Sequence, residues 1–122
     1  MGVRVLIADD HRLFAEALEA ILATDDRIEL VGLASDGEEA VRLAEERRPD
    51  VILMDISMPL MDGIEAAKAI KDTDRDVSIL MLTGSSDRTD VDRARQAGAA
   101  GYVTKDRIAA ELVEAIVRLA KR

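Results

Sequence analysis

Five short apolar runs restrict this chain's fold more tightly than any other feature. They are "VRVLIA" (Val3–Ala8), "IELVGLA" (Ile28–Ala34), "VILM" (Val51–Met54), "VSILMLT" (Val77–Thr83) and "GYVT" (Gly101–Thr104). Runs of this length, β-branched or apolar throughout, suit strands buried on both faces. The segments between them change period. After His11 the apolar residues Leu13, Phe14, Ala17, Leu18, Ile21 and Leu22 recur at helical spacing, as do Ile108, Leu112, Val113, Ile116 and Leu119 near the end. Weaker stripes pass through Ala40, Val41 and Ala44, through Ile64, Ala67 and Ile70, and through Val91, Ala94 and Ala97. Asp36 and the pair Asp62 and Glu65 suit helix N-termini, while Pro49 and Gly98 follow helices as stops. Strands alternating with helices predict an α/β domain: a parallel five-stranded sheet between helical layers, a (βα)5 three-layer sandwich. Right-handed crossovers favour the flavodoxin-like order 2-1-3-4-5.

Length and charge narrow the function. The chain has 122 residues, enough for one domain with a real core, and a net charge of −8. That charge repels nucleic acid and anionic membranes, so no DNA binding is expected from this chain alone. Cysteine is absent, which excludes disulfides and thiolate metal sites. No apolar run approaches the roughly 18 residues that span a bilayer. A cytoplasmic protein without a membrane partner is the expectation.

In doubly wound sheets the functional crevice lies beyond the carboxyl ends of the strands. Asp9 and Asp10 follow the first strand run, Asp55 ends the third, Thr83 ends the fourth, and Lys105 follows the fifth. Each has a bland reading alone: Asp10 as a helix cap, Asp55 as a turn residue before Pro59. Together they form a set that folding does not require. Three neighbouring acids repel one another and call for a cation. Phosphoryl transfer to a carboxylate suits them. Asp55, ionised at neutral pH, is the candidate nucleophile, and Asp9 and Asp10 offer oxygens to a hard ion such as Mg²⁺. Lys105 and Thr83 supply a charge and a hydroxyl donor to phosphoryl oxygens. On this reading the third strand ends on an acid because that acid is presented, not buried.

"LIADDH", "LMDISMPLMDG", "MLTG" and "AGAAGYVTKD" resemble the acidic pair, phosphoacceptor loop, fourth strand and fifth-strand lysine of response-regulator receiver domains of two-component systems. The resemblance covers residues 1–122 and is nearest to the NarL/FixJ (LuxR-type) subfamily. It implies that Asp55 accepts a phosphoryl group from a sensor histidine kinase. It further implies Mg²⁺ held by Asp9, Asp10, Asp55 and the backbone carbonyl of Ser57, with Thr83 and Tyr102 as switch residues and Lys105 as the phosphate-binding lysine. Ser57 and Ser85, two residues past Asp55 and Thr83, would tune dephosphorylation. Homodimerisation on phosphorylation is a possible output. A C-terminal DNA-binding effector domain is expected in a full-length LuxR-type protein and is absent from these 122 residues; the alternative is a stand-alone receiver acting in a phosphorelay or on a protein target. Such a domain is a signalling module, acting only on its own Asp55.

Two positions depart from the family's wording. Asp106 follows Lys105 where a proline, often cis, is common; a cis bond before a non-proline costs about 3–4 kcal/mol. Gly84 follows Thr83 where Ala or Ser is usual. His11, the single histidine, stands beside the acids and invites a phosphohistidine or metal role; the favoured reading is an exposed residue of the first helical turn, with Phe14 as core or surface filler. "EEAVRLAEERR" reads as a solvated helix face. Rival functions lack key residues. A haloacid-dehalogenase-type phosphatase needs an acid where Ser57 stands, and a flavodoxin-like flavin binder needs a phosphate cradle where "ADDH" stands. A purely structural module should not bind Mg²⁺.

Overall fold

The computed structural model describes residues 2–56, 58, 61–84 and 88–120. Its strands are β1 (Val3–Ala8), β2 (Ile28–Ala34), β3 (Val51–Asp55), β4 (Ser78–Thr83) and β5 (Gly101–Thr104). They alternate with α1 (Arg12–Ala23), α2 (Gly37–Arg47), α3 (Gly63–Thr73), α4 (Arg88–Gln96) and α5 (Ile108–Ala120), the last entered through a 3-10 turn, Lys105–Arg107. All strand pairs are parallel and the order is 2-1-3-4-5, as the alternation predicts. The β1–β2 register slips once, between Val5 and Leu6, where Val31 is passed over.

Alternation along the central strands divides the core. Leu6, Ala8, Ile52, Met54, Ile79 and Met81 face one side, under α2, α3 and α4. Val5, Ile7, Val51, Leu53, Leu80 and Leu82 face the other, where Leu18 and Leu22 of α1 meet Leu112 and Ile116 of α5. Burial on both faces explains why these strands read as unbroken apolar runs.

The caps follow local chemistry. Asp36 and Asp62 accept hydrogen bonds from the amides of Glu39 (2.8 Å) and Glu65 (2.9 Å), as expected of N-caps. Gly98, with φ +99°, ends α4 in the left-handed region. The exposed pairs of α2, Arg42 with Glu39 and Glu46, fit the solvated face read from the sequence. In the turn before β2, the Arg27 guanidinium hydrogen-bonds Asp25 and holds its carboxyl down at about 2.

The face assigned to α1 needs correction. Leu13 is 83% exposed and Ala17 is exposed, while Ala15 is buried. Leu18 and Leu22 lie inward as expected, and Phe14 and Ile21 are half-buried. The inward stripe therefore runs through Ala15 rather than through Leu13 and Ala17. Spacing counts apolar residues but does not say which of two adjacent ones turns inward.

One glycine fixes the loop that follows β3. A Cβ on Gly63 would lie 2.1 Å from the Asp55 carbonyl oxygen, whereas one on Gly84 meets nothing within 4 Å among the described residues. Gly63→Ala is expected to cost about 1–3 kcal/mol, because backbone must move. Gly84→Ala should stay within about 0.5 kcal/mol of wild type. Urea denaturation of the two variants checks the contrast.

Candidate functional site

The neighbouring positions of β1 and β3 build the site. Ala8 pairs with Met54, so the next residues, Asp9 and Asp55, emerge side by side at the carboxyl edge. Both share the strand parity of Val5, Ile7, Val51 and Leu53, which face α1 and α5. Thr83 has the parity of Ile79 and Met81 and belongs to the opposite face.

Lys105 joins the two carboxylates. Its Nζ lies 3.4 Å from Asp55 Oδ2 and 3.5 Å from Asp9 Oδ2. After Thr104 the chain enters its 3-10 turn, Lys105–Arg107, and the described residues contain no cis peptide bond. Asp9 and Asp55 are each only 3% exposed, so Asp55 is recessed rather than presented, contrary to the sequence reading. The Lys105 ammonium and the His11 imidazole crowd it from above, 3.4 and 3.6 Å from its Oδ2. Such closure comes from residues distant in sequence.

His11 keeps its expected exposure but also joins the acids. It stands at the N-cap of α1, forms no capping bond through its side chain, and is exposed as expected. Yet its Nδ1 lies 3.3, 3.4 and 3.6 Å from oxygens of Asp9, Asp10 and Asp55. Asp9 Oδ1 accepts from the His11 backbone amide at 2.8 Å. Asp10 does not serve as the N-cap; it is exposed beside the cluster.

The donor set fits a divalent cation. One ligand atom from each of Asp9, Asp10, His11 and Asp55 lies within 4.8 Å of all the others. Asp9 Oδ2 is buried and accepts no hydrogen bond from the described residues. Leaving a buried charged acceptor in that condition costs about 1–3 kcal/mol or more, which a hard ion would offset.

The remaining candidates separate. Thr83, 4% exposed, sits at the end of β4 opposite Thr104. Tyr102 pairs with Met81 and is 42% exposed, outside the acid cluster. Ser57 and Ser85 lie outside the described residues. Phe14, read from the sequence as filler, instead places its ring centroid 4.5 Å from Lys105 Nζ. Only the three-dimensional packing of α1 against the start of α5 discloses that pair. A hollow of about 890 Å³ lies at the opposite end of the sheet, and its Lys71 is already engaged by the Arg75 and Val77 carbonyls.

The family model described as response regulator receiver domain matches residues 5–117. The transcriptional regulatory protein YhcZ of Bacillus subtilis is 46% identical over 112 residues, 92% of this chain and 52% of that protein. LiaR of the same organism, also a transcriptional regulatory protein, is 47% identical over 114 residues, 93% of this chain and 54% of its own length. The chain thus spans about half the length of these curated relatives. Among solved structures, the signal receiver domain of the putative response regulator NarL from Mycobacterium tuberculosis superposes with a TM-score of 0.94 at 37% identity, covering 98% of this chain and 97% of that one. A receiver domain from a Pseudomonas aeruginosa sensor histidine kinase, solved with a magnesium ion coordinated in its active-site cleft, gives 0.89 at 32% identity, with all of both chains covered.

The charge balance makes a test. Lys105→Met removes an ammonium from two buried carboxylates and should destabilise the domain by about 1–3 kcal/mol in metal-free buffer. Millimolar Mg²⁺ should narrow the deficit. Thermal melting with and without the ion measures both.

Proposed function

The chain belongs to the response-regulator receiver-domain family, and from that premise we propose that Asp55 takes a phosphoryl group from a sensor histidine kinase. The observation that carries the reading is the convergence of Asp9, Asp55 and Lys105 within 3.4–3.5 Å at the carboxyl edge of the sheet. An Asp55 carboxylate oxygen bonds to phosphorus while the phosphorus–nitrogen bond of the kinase's phosphohistidine breaks, the electron pair leaving with the imidazole. A carboxylate nucleophile needs no activating base. Lys105 meets a phosphoryl oxygen, and Thr83 donates its hydroxyl to another. Asp9, Asp10 and Asp55, with the Ser57 carbonyl, would hold Mg²⁺. When bound, Mg²⁺ supplies charge that offsets repulsion between the acids and the incoming phosphoryl group.

The family is a signalling domain. Its chemistry here is directed at its own Asp55, in the cytoplasm where a kinase can reach it. Ser57 and Ser85, small residues two positions past Asp55 and Thr83, are proposed to tune dephosphorylation, so bulkier residues there should slow it more than uptake. A hydrogen bond from Thr83 to a phosphoryl oxygen is worth about 1.5–3 kcal/mol, enough to shift a two-state equilibrium by about one to two decades. Inward movement of Thr83 opens space for the Tyr102 ring and alters the surface of α4, β5 and α5. That surface then meets a second copy or an effector domain. The curated relatives, transcriptional regulators of about twice this length, favour a DNA-binding domain following residue 122.

Acetyl phosphate with Mg²⁺ should add one acid-labile phosphoryl group, read by intact mass, and Asp55→Asn should abolish the adduct while keeping the fold. An adduct persisting in Asp55→Asn contradicts the assignment. Thr83→Ala should still be phosphorylated but show little of the self-association that beryllofluoride raises in wild type, as measured by analytical ultracentrifugation.

A further inference from the structure

The chain contains one phenylalanine, and its ring lies beneath the lysine of the site. We infer that Phe14 is a positioning residue, holding the Lys105 ammonium by a cation–π contact where a phosphoryl oxygen arrives at Asp55. This inference rests on the function proposed above.

The ring is well placed for the task. Phe14 is half-buried at the start of α1 and packs against the apolar layer that includes Leu18, Ile108 and Leu112. A ring wedged there has little freedom. The Lys105 Nζ lies 4.5 Å from its centroid, inside the roughly 6 Å range of a cation–π attraction. Lysine needs such help, because its flexible stem loses much rotamer entropy when its head is fixed.

The two carboxylates do not fix that head alone. Their distances, 3.4 and 3.5 Å, are longer than the roughly 2.7–2.9 Å of a strong charge-assisted hydrogen bond. Both also change during the proposed reaction: Asp55 becomes an acyl phosphate, and Asp9 is a candidate ligand of the cation. The ring, by contrast, is not itself altered chemically by the transfer. It attracts the ammonium without accepting a conventional hydrogen bond, leaving N–H groups for phosphoryl oxygens. It is also weaker than a carboxylate, so it does not compete with the phosphoryl charge. If Phe14 were apolar filler, the electron density of its ring would have no effect.

A single phenylalanine allows that distinction to be measured. Biosynthetic incorporation of 4-fluoro-, 3,5-difluoro- and 3,4,5-trifluorophenylalanine changes one ring, with little change of shape. Initial rates of acyl phosphate formation from acetyl phosphate and Mg²⁺ are expected to fall stepwise, by roughly three- to tenfold at the trifluoro ring, with melting temperatures unchanged. Phe14→Tyr should keep the rate and Phe14→Leu lose it. In a Lys105→Ala background the fluorine series should be flat. The ¹⁹F resonance of 4-fluoro-Phe14 should move when Lys105 is removed and again on adding beryllofluoride with Mg²⁺. A flat series in a chain that phosphorylates normally overturns the positioning role and leaves Asp55 assigned. A chain that takes no phosphoryl group even with the unsubstituted ring overturns the proposed function, and this inference with it.

Discussion

Two acidic side chains held side by side out of water are the constraint on which the upper edge of this domain depends. The crossover from β1 through β2 to β3 makes β1 and β3 neighbours, and the register puts Asp9 beside Asp55. Their 3% exposure leaves little bulk water to screen the repulsion. The entry into α5 brings Lys105 over both acids, and the first turn of α1 brings His11 against them. A cation-sized gathering of oxygen donors remains, with one Asp9 oxygen lacking a hydrogen-bond donor among the described residues. The site is therefore an electrostatic problem only partly solved by protein groups. That is the imbalance which the proposed metal ion and phosphoryl group would act on.

The sheet also separates tasks by face. Asp9, Asp55, Lys105 and Phe14 gather on the side of α1 and α5, while strand parity assigns Thr83 to the side of α2, α3 and α4. A group bonded to Asp55 on one side can be sensed on the other only at the strand ends, where both sets of side chains clear the sheet. This gives a physical reason for pairing an acid at the end of β3 with a hydroxyl at the end of β4.

The strands and their acids were legible in the sequence because parallel strands buried on both faces leave continuous apolar runs, and a carboxylate ending such a run has few structural explanations. The caps at Asp36 and Asp62 were legible because capping is a local bond. The burial of Asp55 was not. Its cover comes from Lys105, fifty positions away, and from an imidazole whose direction no spacing rule gives. Phe14 was misread for the same reason: as one apolar residue in a stripe it looks like core, and its lysine partner belongs to the other end of the chain. Leu13 and Ala17 show a different limit, since a wide apolar stripe leaves the rotation of a helix undecided by one position.

The helices are fastened to the sheet with very different strength. α5 is held by Ile108, Leu112, Ile116 and Val117, whereas the buried side chains described in α4 reduce to Ala94. Ala97, just beyond the helix, adds one more methyl. A buried methyl contributes about 0.8 kcal/mol and a large aliphatic side chain about 1.5–3 kcal/mol. Mechanically, then, the domain is a stiff slab with one loosely riveted plate. A load applied along the carboxyl edge would meet less apolar anchorage at the described part of α4 than at α5.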